Sequence, residues 1–426
     1  MFYIRDNFRI LFIIYLSFIL YGCETTQIPP KKTLTYNQTQ LLDTIEEEVD
    51  PNTQKNNLKD NKIFKIGLLL PLSGEFYQIG KSILDSSQLA LEKTKNKNLI
   101  FYLVDVEREE QLYQNISYLI SNDVDLILGP VFTRNVLRVK EYLNDKDIPI
   151  ITFSNNSEVS DRNVYVFGLT IEDELKRIYE YSNDRDIKKF AVIVPNNKYG
   201  NKIKNEINKF HNINSDTSSQ FIFYPTTNPD YYEIAKEVSN YEERKLKLDN
   251  RIKILKELKT EASIKELKSL RNKDTLGEVN FEAVIIIARS FSELANFISI
   301  LPYYDVDPKK VKFIGNSIWG KELILKEPSM INSYFSSLDL IAQKKFKEEY
   351  REVYKNKPHS LAALAYDLVG LISRLNIEHK NITSEILHSD LGYLGINGWF
   401  RFDESGKVER RPLIFHLGND KFLVKN

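Results

Sequence analysis

Cysteine is almost missing from this chain, with one in 426 residues. That scarcity excludes an internal disulfide framework and any cysteine-rich zinc or iron–sulfur site. A surplus of one charge is missing too, because 59 Lys and Arg balance 59 Asp and Glu. A protein that neutralises nucleic-acid phosphates needs excess cations on one face, so no nucleic acid partner is expected. Histidine is sparse, and the five present (His211, His359, His379, His388 and His416) have no metal-ligand spacing. The motifs of zinc proteases (H-E-x-x-H), P-loop nucleotide binders and nucleophile elbows (G-x-S-x-G) do not occur. Gly315-Asn-Ser317-Ile-Trp319-Gly320 comes nearest to the last, but its second glycine stands one place too late. No acidic pair stands out as an acid–base dyad, so the chain reads as a non-enzyme without metal or cofactor. What remains is globular: 42% hydrophobic, 12% aromatic, and long enough for about two or three domains.

The lone cysteine has an informative place. Arg5 and Arg9 precede an apolar run from Ile10 to Leu20. That run has the length of a signal-peptide core and is short of the about 20 residues a membrane span needs. Leu20-Tyr21-Gly22-Cys23 follows and resembles the bacterial lipobox, whose cysteine is lipidated and becomes the mature N-terminus. Residues 1–22 are therefore expected to be a lipoprotein signal peptide and Cys23 the lipid attachment point. A plain secretory signal with an incidental cysteine is the blander alternative. Residues 23–62 are polar, with Pro29-Pro30, Pro51 and the acidic run Glu46-Glu47-Glu48. They read as a flexible tether with a reach of roughly 30–40 Å.

Beyond Ile63, short apolar runs alternate with segments of helical spacing. Strands are expected at 63–70, 99–105, 125–128, 148–153, 164–167, 189–194, 220–224, 283–288, 311–314 and 412–417. Helices are expected at 79–95, 109–121, 133–143, 171–181, 199–210, 291–301, 340–354 and 360–375. Runs such as IGLLL and AVIIIA are apolar at successive positions, as in parallel strands covered on both faces. The pattern predicts an α/β chain of βαβ units with doubly wound, mostly parallel sheets. So many strands favour two lobes over one sheet, with the first break near Gly168-Leu-Thr170. Residues 230–276 interrupt the alternation with a charged helical insertion. Its Ile234, Val238, Tyr241, Leu248, Ile252, Leu255 and Ala262 recur at spacings of three, four and seven. One or two amphipathic helices packed on the lobe are expected, either as a solvated insertion or as an arm that docks a partner.

In open α/β sheets, ligands meet the loops at the carboxyl ends of strands. Here those loops are small and polar: Pro71-Leu72-Ser73-Gly74, Gly129-Pro130-Val131-Phe132-Thr133, Thr152-Phe153-Ser154-Asn155-Asn156, Pro195-Asn196-Asn197-Lys198-Tyr199-Gly200 and Ala288-Arg289-Ser290. Each polar residue alone suits a turn or cap, Thr133 as a helix N-cap in particular. Together they make a cleft for a small polar ligand credible.

Lys65-Ile-Gly-Leu-Leu-Leu-Pro-Leu-Ser-Gly74, Leu89-Ala-Leu-Glu92, Asp125-Leu-Ile-Leu-Gly-Pro130, Ile148-Pro-Ile-Ile-Thr-Phe-Ser154, Lys198-Tyr-Gly200, Ala362-Ala-Leu-Ala-Tyr-Asp367 and Ile396-Asn-Gly-Trp-Phe-Arg-Phe-Asp403 follow in order. They resemble type I periplasmic binding proteins of the leucine-binding class. The insertion ending at Asp274-Thr-Leu-Gly277, and Leu301-Pro-Tyr-Tyr-Asp305-Val-Asp307-Pro308, resemble the LpoA/YraM-type penicillin-binding protein activators within that class. The resemblance implies two lobes joined by three crossovers around a closing cleft, with residues 63–170 and 319–390 in one lobe and 171–318 and 391–426 in the other. By position it implies ligand contacts from Thr133, Ser154, Asn156 and Tyr199; Ser73, from the loop after the first strand, and Arg289, at the cleft mouth, complete the candidate cleft residues. Amino-acid binders hold the ligand ammonium with a carboxylate near the Arg289 loop, and none stands here before Glu293. An arginine there would favour an anion instead. The resemblance also implies a role: a lipid-anchored protein on the periplasmic side, at the outer membrane, activating a penicillin-binding protein by contact. The alternative it leaves is a solute receptor for an ABC permease. Because Glu24 follows Cys23, inner-membrane retention is not signalled.

Overall fold

The computed structural model describes residues 63–425, apart from 144–145, 214–215, 328–329, 331–332, 380–381 and 419. The expected signal peptide, Cys23 and the tether lie outside the described residues. Everything below belongs to one compact unit, Asn61–Asn426.

The first lobe opens with β1 (Phe64–Leu70), α1 (Tyr77–Thr94), β2 (Leu99–Asp105), α2 (Glu109–Ser121), β3 (Leu126–Leu128), α3 (Thr133–Leu143), β4 (Ile150–Thr152) and β5 (Val164–Val166). The strands form a parallel sheet in the order β2-β1-β3-β4-β5. Ile66, Leu68 and Leu70 enter the core on one face, while Leu69, Ile127 and Ile150 enter the core on the other. Burial on both faces is why these strands are apolar at every position.

The chain then crosses to the second lobe with α4 (Ile171–Asn183), β6 (Lys189–Pro195), α5 (Lys198–Ile213), β7 (Ser218–Tyr224), α6 (Tyr231–Ser239), α7 (Tyr241–Leu258), α8 (Glu261–Leu270), β8 (Ala283–Ile286), α9 (Phe291–Ile300), β9 (Lys312–Gly315) and β10 (Tyr334–Ser337). It returns to the first lobe for α10 (Gln343–Tyr354), α11 (Ala362–His379), α12 (Ser384–Leu387) and a small antiparallel sheet of β11 (Tyr393–Gly395), β12 (Gly398–Phe402) and β13 (Val408–Arg410). A last crossing brings β14 (Leu413–Leu417) and β15 (Phe422–Lys425) to the second sheet, whose order is β15-β14-β10-β9-β8-β6-β7. Its first five strands in sequence run parallel, and β14 and β15 join antiparallel.

The division of the chain differs from the expected one at both later boundaries. Trp319, Ile324, Met330 and Phe335 lie in the core of the second lobe, because β10 extends the second sheet beside β9. Return to the first lobe therefore begins near Leu338, not at residue 319. Residues 393–410 belong to the first lobe, not the second, because Phe400, Phe402 and Val408 share its core with Leu68 and Leu364. Phe400 and Phe402 pack on Phe167 with ring centroids 5.0 and 5.9 Å away.

The insertion holds three helices where one or two were expected. Asn240 adopts the left-handed conformation (φ 51°) and ends α6, so the apolar residues do not form one stripe. Ile234, Ala235 and Val238 join the core of the lobe. Leu248 and Leu255 of α7 close instead on Leu270 of α8, with Ile252, Leu267 and Leu276 around them. Ala262 is exposed. A two-pronged bond from Arg251 to Glu266 (2.7 and 2.8 Å) ties α7 to α8. Arg244, buried at the base, donates to Thr275 Oγ1 (2.8 Å), the Gly277 carbonyl (2.7 Å) and Asp305 Oδ2 (3.0 Å).

Candidate functional site

The loops after β1, β3 and β4 meet on the first lobe. Phe76 and Phe132 pack there with centroids 4.5 Å apart and their planes tilted by 53°. Thr133 is the first residue of α3 and not its N-cap; the Phe132 carbonyl accepts the opening bonds from the Asn135 and Val136 amides. The Thr133 hydroxyl is free for a tertiary partner and lies 3.3 Å from the buried Ser154 hydroxyl. Ser154 Oγ accepts from the Asn156 amide at 3.2 Å. Ser73 stands apart from this chain of contacts. Its hydroxyl bonds Asp105 at the end of β2, whose carboxylate also accepts from the Leu72 amide at 2.9 Å.

The second lobe reaches this cluster through Lys202 on α5. Its Nζ donates to Ser157 Oγ (3.0 Å) and Asn156 Oδ1 (3.4 Å) and pairs with Glu172 Oε1 at 2.9 Å. Burial opposes a charge on Glu172, but the Ser157 hydroxyl and Lys202 outweigh it and hold the carboxyl below its ordinary range. The other oxygen of Glu172 is buried without a hydrogen-bond partner among the described residues. Lys202 therefore latches the lobes together at Asn156 and Ser157.

Tyr199 is 36% exposed yet close enough to Glu172, Glu174 and Tyr224 to feel their charges, and burial lifts its hydroxyl pKa above the usual range. Partial exposure with strong desolvation is what the wall of a cleft gives. Glu174 is fully enclosed and accepts from the Ser317 amide at 2.6 Å. Burial, which the amide and hydroxyl of Ser317 do not offset, pushes its carboxyl up to about 8.

Arg289 is not a free cation. Its Nε donates to Glu293 Oε1 at 2.9 Å and its Nη2 to the Thr226 carbonyl at 2.8 Å. The other Glu293 oxygen accepts from the Arg289 amide and the Tyr224 hydroxyl, both at 2.9 Å. Burial disfavours the Glu293 carboxylate, but these donors more than compensate and hold it below its ordinary range. The expected anion preference of Arg289 is therefore corrected: its exposed guanidinium is already paired with Glu293. Glu293, in the first turn of α9, gives its amide to the Ser290 cap at 3.2 Å and turns its carboxylate back to the Arg289 loop, as in a capping arrangement.

The structure thus joins Thr133, Ser154 and Asn156, sets Tyr199 and Arg289 on the facing lobe, and leaves Ser73 in its own loop. Sequence reasoning missed Glu172, Glu174, Lys202 and Glu293. Glu172 and Glu174 follow Thr170 in the first turn of a helix, where acids read as complements to the dipole. Among the described residues no group of three or more His, Cys, Asp or Glu is placed to hold a metal ion, and no helix is long and apolar enough to cross a membrane.

The sequence model of the periplasmic binding protein family matches residues 64–375, most of both lobes. The chain belongs to that family. A relative of this periplasmic binding protein, the uncharacterized protein RP748 of Rickettsia prowazekii (strain Madrid E), is 23% identical over 373 residues, covering 86% of this chain and 90% of its own. Among solved structures, the C-domain of Haemophilus influenzae LpoA (YraM), described as a regulator of PBP1A, superposes with a TM-score of 0.60 at 16% identity, over 85% of this chain and all of that domain. This periplasmic binding protein spans 60% of full-length H. influenzae LpoA. A leucine-binding protein of Thermotoga maritima is similar with a TM-score of 0.53 at 17% identity, over 85% of this chain and 98% of that one. These structural likenesses establish the type I two-lobed fold that the resemblance implies.

Proposed function

We propose that this protein is a non-catalytic envelope lipoprotein, anchored through Cys23 on the periplasmic side of the outer membrane, that regulates a peptidoglycan synthase of the penicillin-binding class by direct contact. The observation that carries this reading is the state of the cleft charges. A receptor for amino acids has to offer a free acceptor for the ammonium and free donors for the carboxylate. Here Arg289 is neutralised by Glu293 and Lys202 by Glu172, so the charges at the junction serve the protein's own architecture. The likeness to the LpoA C-domain supports the choice of partner. Contact with the synthase would act by favouring its active conformation.

The insertion is a natural place for such contact. Leu246, Ile254, Leu258 and Ile264 remain exposed on α7 and α8, although Leu248, Leu255 and Leu270 of the same helices are buried. The test is capture of a bifunctional penicillin-binding protein by the full chain, repeated with Leu246→Glu and Leu258→Glu. Deleting residues 230–273 outright is the wrong control, because it would remove Ile234 and Val238 from the lobe core. No capture by the native chain ends the activator reading, while capture that survives both substitutions moves the contact off the arm. One observation favours the second reading, a substrate-binding receptor of an ABC importer: the unpaired Glu172 oxygen beside the interlobe latch could accept from a ligand N–H. Tight heats of binding with amino acids, peptides or muropeptides would establish that role instead.

A further inference from the structure

Outside the cleft, one face of α10 concentrates positive charge in a chain whose total is zero. Lys347 and Arg351 stand four residues apart, one above the other on α10, and Lys355 follows as the left-handed residue (φ 58°) that ends the helix. Like charges at that spacing weaken a helix. The dipole at the helix end rewards Arg351 and Lys355, but not Lys347 one turn earlier. Arg351, Lys355, Asn356 and Lys357 line a cavity of about 510 Å³ whose one acidic lining residue is Glu322.

Neighbouring acids do not neutralise the cluster. Glu348 pairs with Lys344 and Glu349 with Lys93, whereas Lys321, Lys347, Arg351, Lys355 and Lys357 make no salt bridge among the described residues, and neither does Glu352. Burial lowers the Lys347 pKa, and Arg351 and Lys321 lower it further against the pull of Glu322. The cations therefore press on one another across an open surface recess, in which Arg351, Lys355 and Lys357 are exposed. That recess lies on the seam between the lobes. α10 packs on the first lobe through Phe346 and Tyr350, and the turn at Glu322 is held to the second by Ile324.

We propose that this cavity binds a multiply charged phosphate anion, with Arg351, Lys355 and Lys357 as its principal ligands and Lys321 and Lys347 adding charge. The planar guanidinium of Arg351 offers two parallel N–H donors to phosphate oxygens, and the lysines add point charges. A bound anion would relieve the repulsion among the cations and brace the seam. The inference is independent of the synthase or importer reading. The same chemistry is presented by a soluble phosphate compound and by a phosphorylated lipid headgroup.

The experiment uses the full chain in detergent, titrated calorimetrically with inorganic pyrophosphate at low and moderate salt. Binding is expected to weaken with salt and to fall about tenfold in Arg351→Gln, which loses a charge-assisted bidentate contact. It should vanish in the triple variant Arg351→Gln, Lys355→Gln, Lys357→Gln and persist in Lys345→Gln, which lies off the cluster's helix face. Circular dichroism checks the triple variant, and the exposed single site Arg351 carries the test should the triple fail to fold. A second arm compares phosphatidylglycerol with phosphatidylcholine vesicles, so that any anchorage common to both cancels. A preference for phosphatidylglycerol that the triple variant loses identifies a headgroup; pyrophosphate binding without that preference identifies a soluble ligand. No binding in either arm overturns the proposal, as does an equal loss in Lys345→Gln, which would mean diffuse attraction.

Discussion

The first lobe takes all five strands of its sheet from one continuous stretch, 64–166, whereas the second recruits its last two strands from 413–425, after the chain has gone back to the first lobe. Their first strands are nevertheless continued alike. The first strand of each leads, through a proline at or just past its end, into a helix whose glycine lies against that proline: Pro71 with Gly80, Pro195 with Gly200. A Cβ on either glycine would run into the carbonyl of its proline. The same strand–helix unit thus serves twice, and the differences lie in what surrounds it. The second lobe carries the insertion and the enclosed acid Glu174. The first receives the β11–β13 sheet, whose hairpin tip delivers the Ile396 and Asn397 amides to Asp367 Oδ1 and Oδ2 at 2.7 and 2.9 Å.

The sharpest way to break this comparison is at Arg410, which is buried and donates to the Phe167 carbonyl while facing the charges of Asp367 and Asp173. Arg410→Met leaves those acids without their cation and should cost about 3–5 kcal/mol in urea unfolding. A cost below about 1 kcal/mol would mean that the lobes do not depend on it. Next come Gly80→Ala and Gly200→Ala, each expected to cost about 2–4 kcal/mol because a methyl group meets fixed backbone. Equivalent strand–helix units predict similar losses, and a wide gap between the two would end the equivalence.

The pH dependence of stability separates the lobes more gently. A carboxyl with an ordinary value of 4.5 and a folded value of about 8, as at Glu174, keeps its proton longer when folded. Its contribution is full below pH 4.5 and is lost as pH rises towards about 8. Asp367, pushed by burial from 3.8 up to about 6 against its N–H donors, adds a slope of the same sign at lower pH. Glu174→Gln should therefore flatten stability between about pH 6 and 8 and only reduce the slope between about 4.5 and 6, where Asp367 still titrates. An unchanged upper slope would show that Glu174 titrates normally. The smallest effect is expected at Lys202→Met, which removes a partly exposed latch and should cost no more than about 1 kcal/mol. Small-angle scattering should nonetheless record a wider separation of the lobes; an identical profile would remove the latch.

Much of the first lobe was legible because its strands are buried on both faces and leave unbroken apolar runs. In the second lobe β10, reading Tyr-Phe-Ser-Ser, was not: it is four residues long, and Ser336 and Ser337 are buried without looking so. The β11–β12 hairpin carried the Asn397-Gly398 turn signal, but strands of three and five residues gave no period to read. Ser73, Thr133, Ser154, Asn156, Tyr199 and Arg289 were chosen from loops, and the structure finds most of them already bonded. Glu293 and Lys202, which decide the electrostatics of the cleft, sit inside helices, where a charge ordinarily signifies only a solvated face.

Arg410 has a mechanical consequence beyond its energy. It stands at the end of β13, just before the chain's last crossing, and holds the carbonyl of Phe167 at the start of the first crossing. Two of the three connecting segments are therefore clamped side by side, leaving the stretch after Ser337 as a separate strap. Clamped strands can flex together but cannot slide past each other or twist apart. Relative motion of the lobes is thereby reduced towards a single degree of freedom, the swing of a door on a broad hinge.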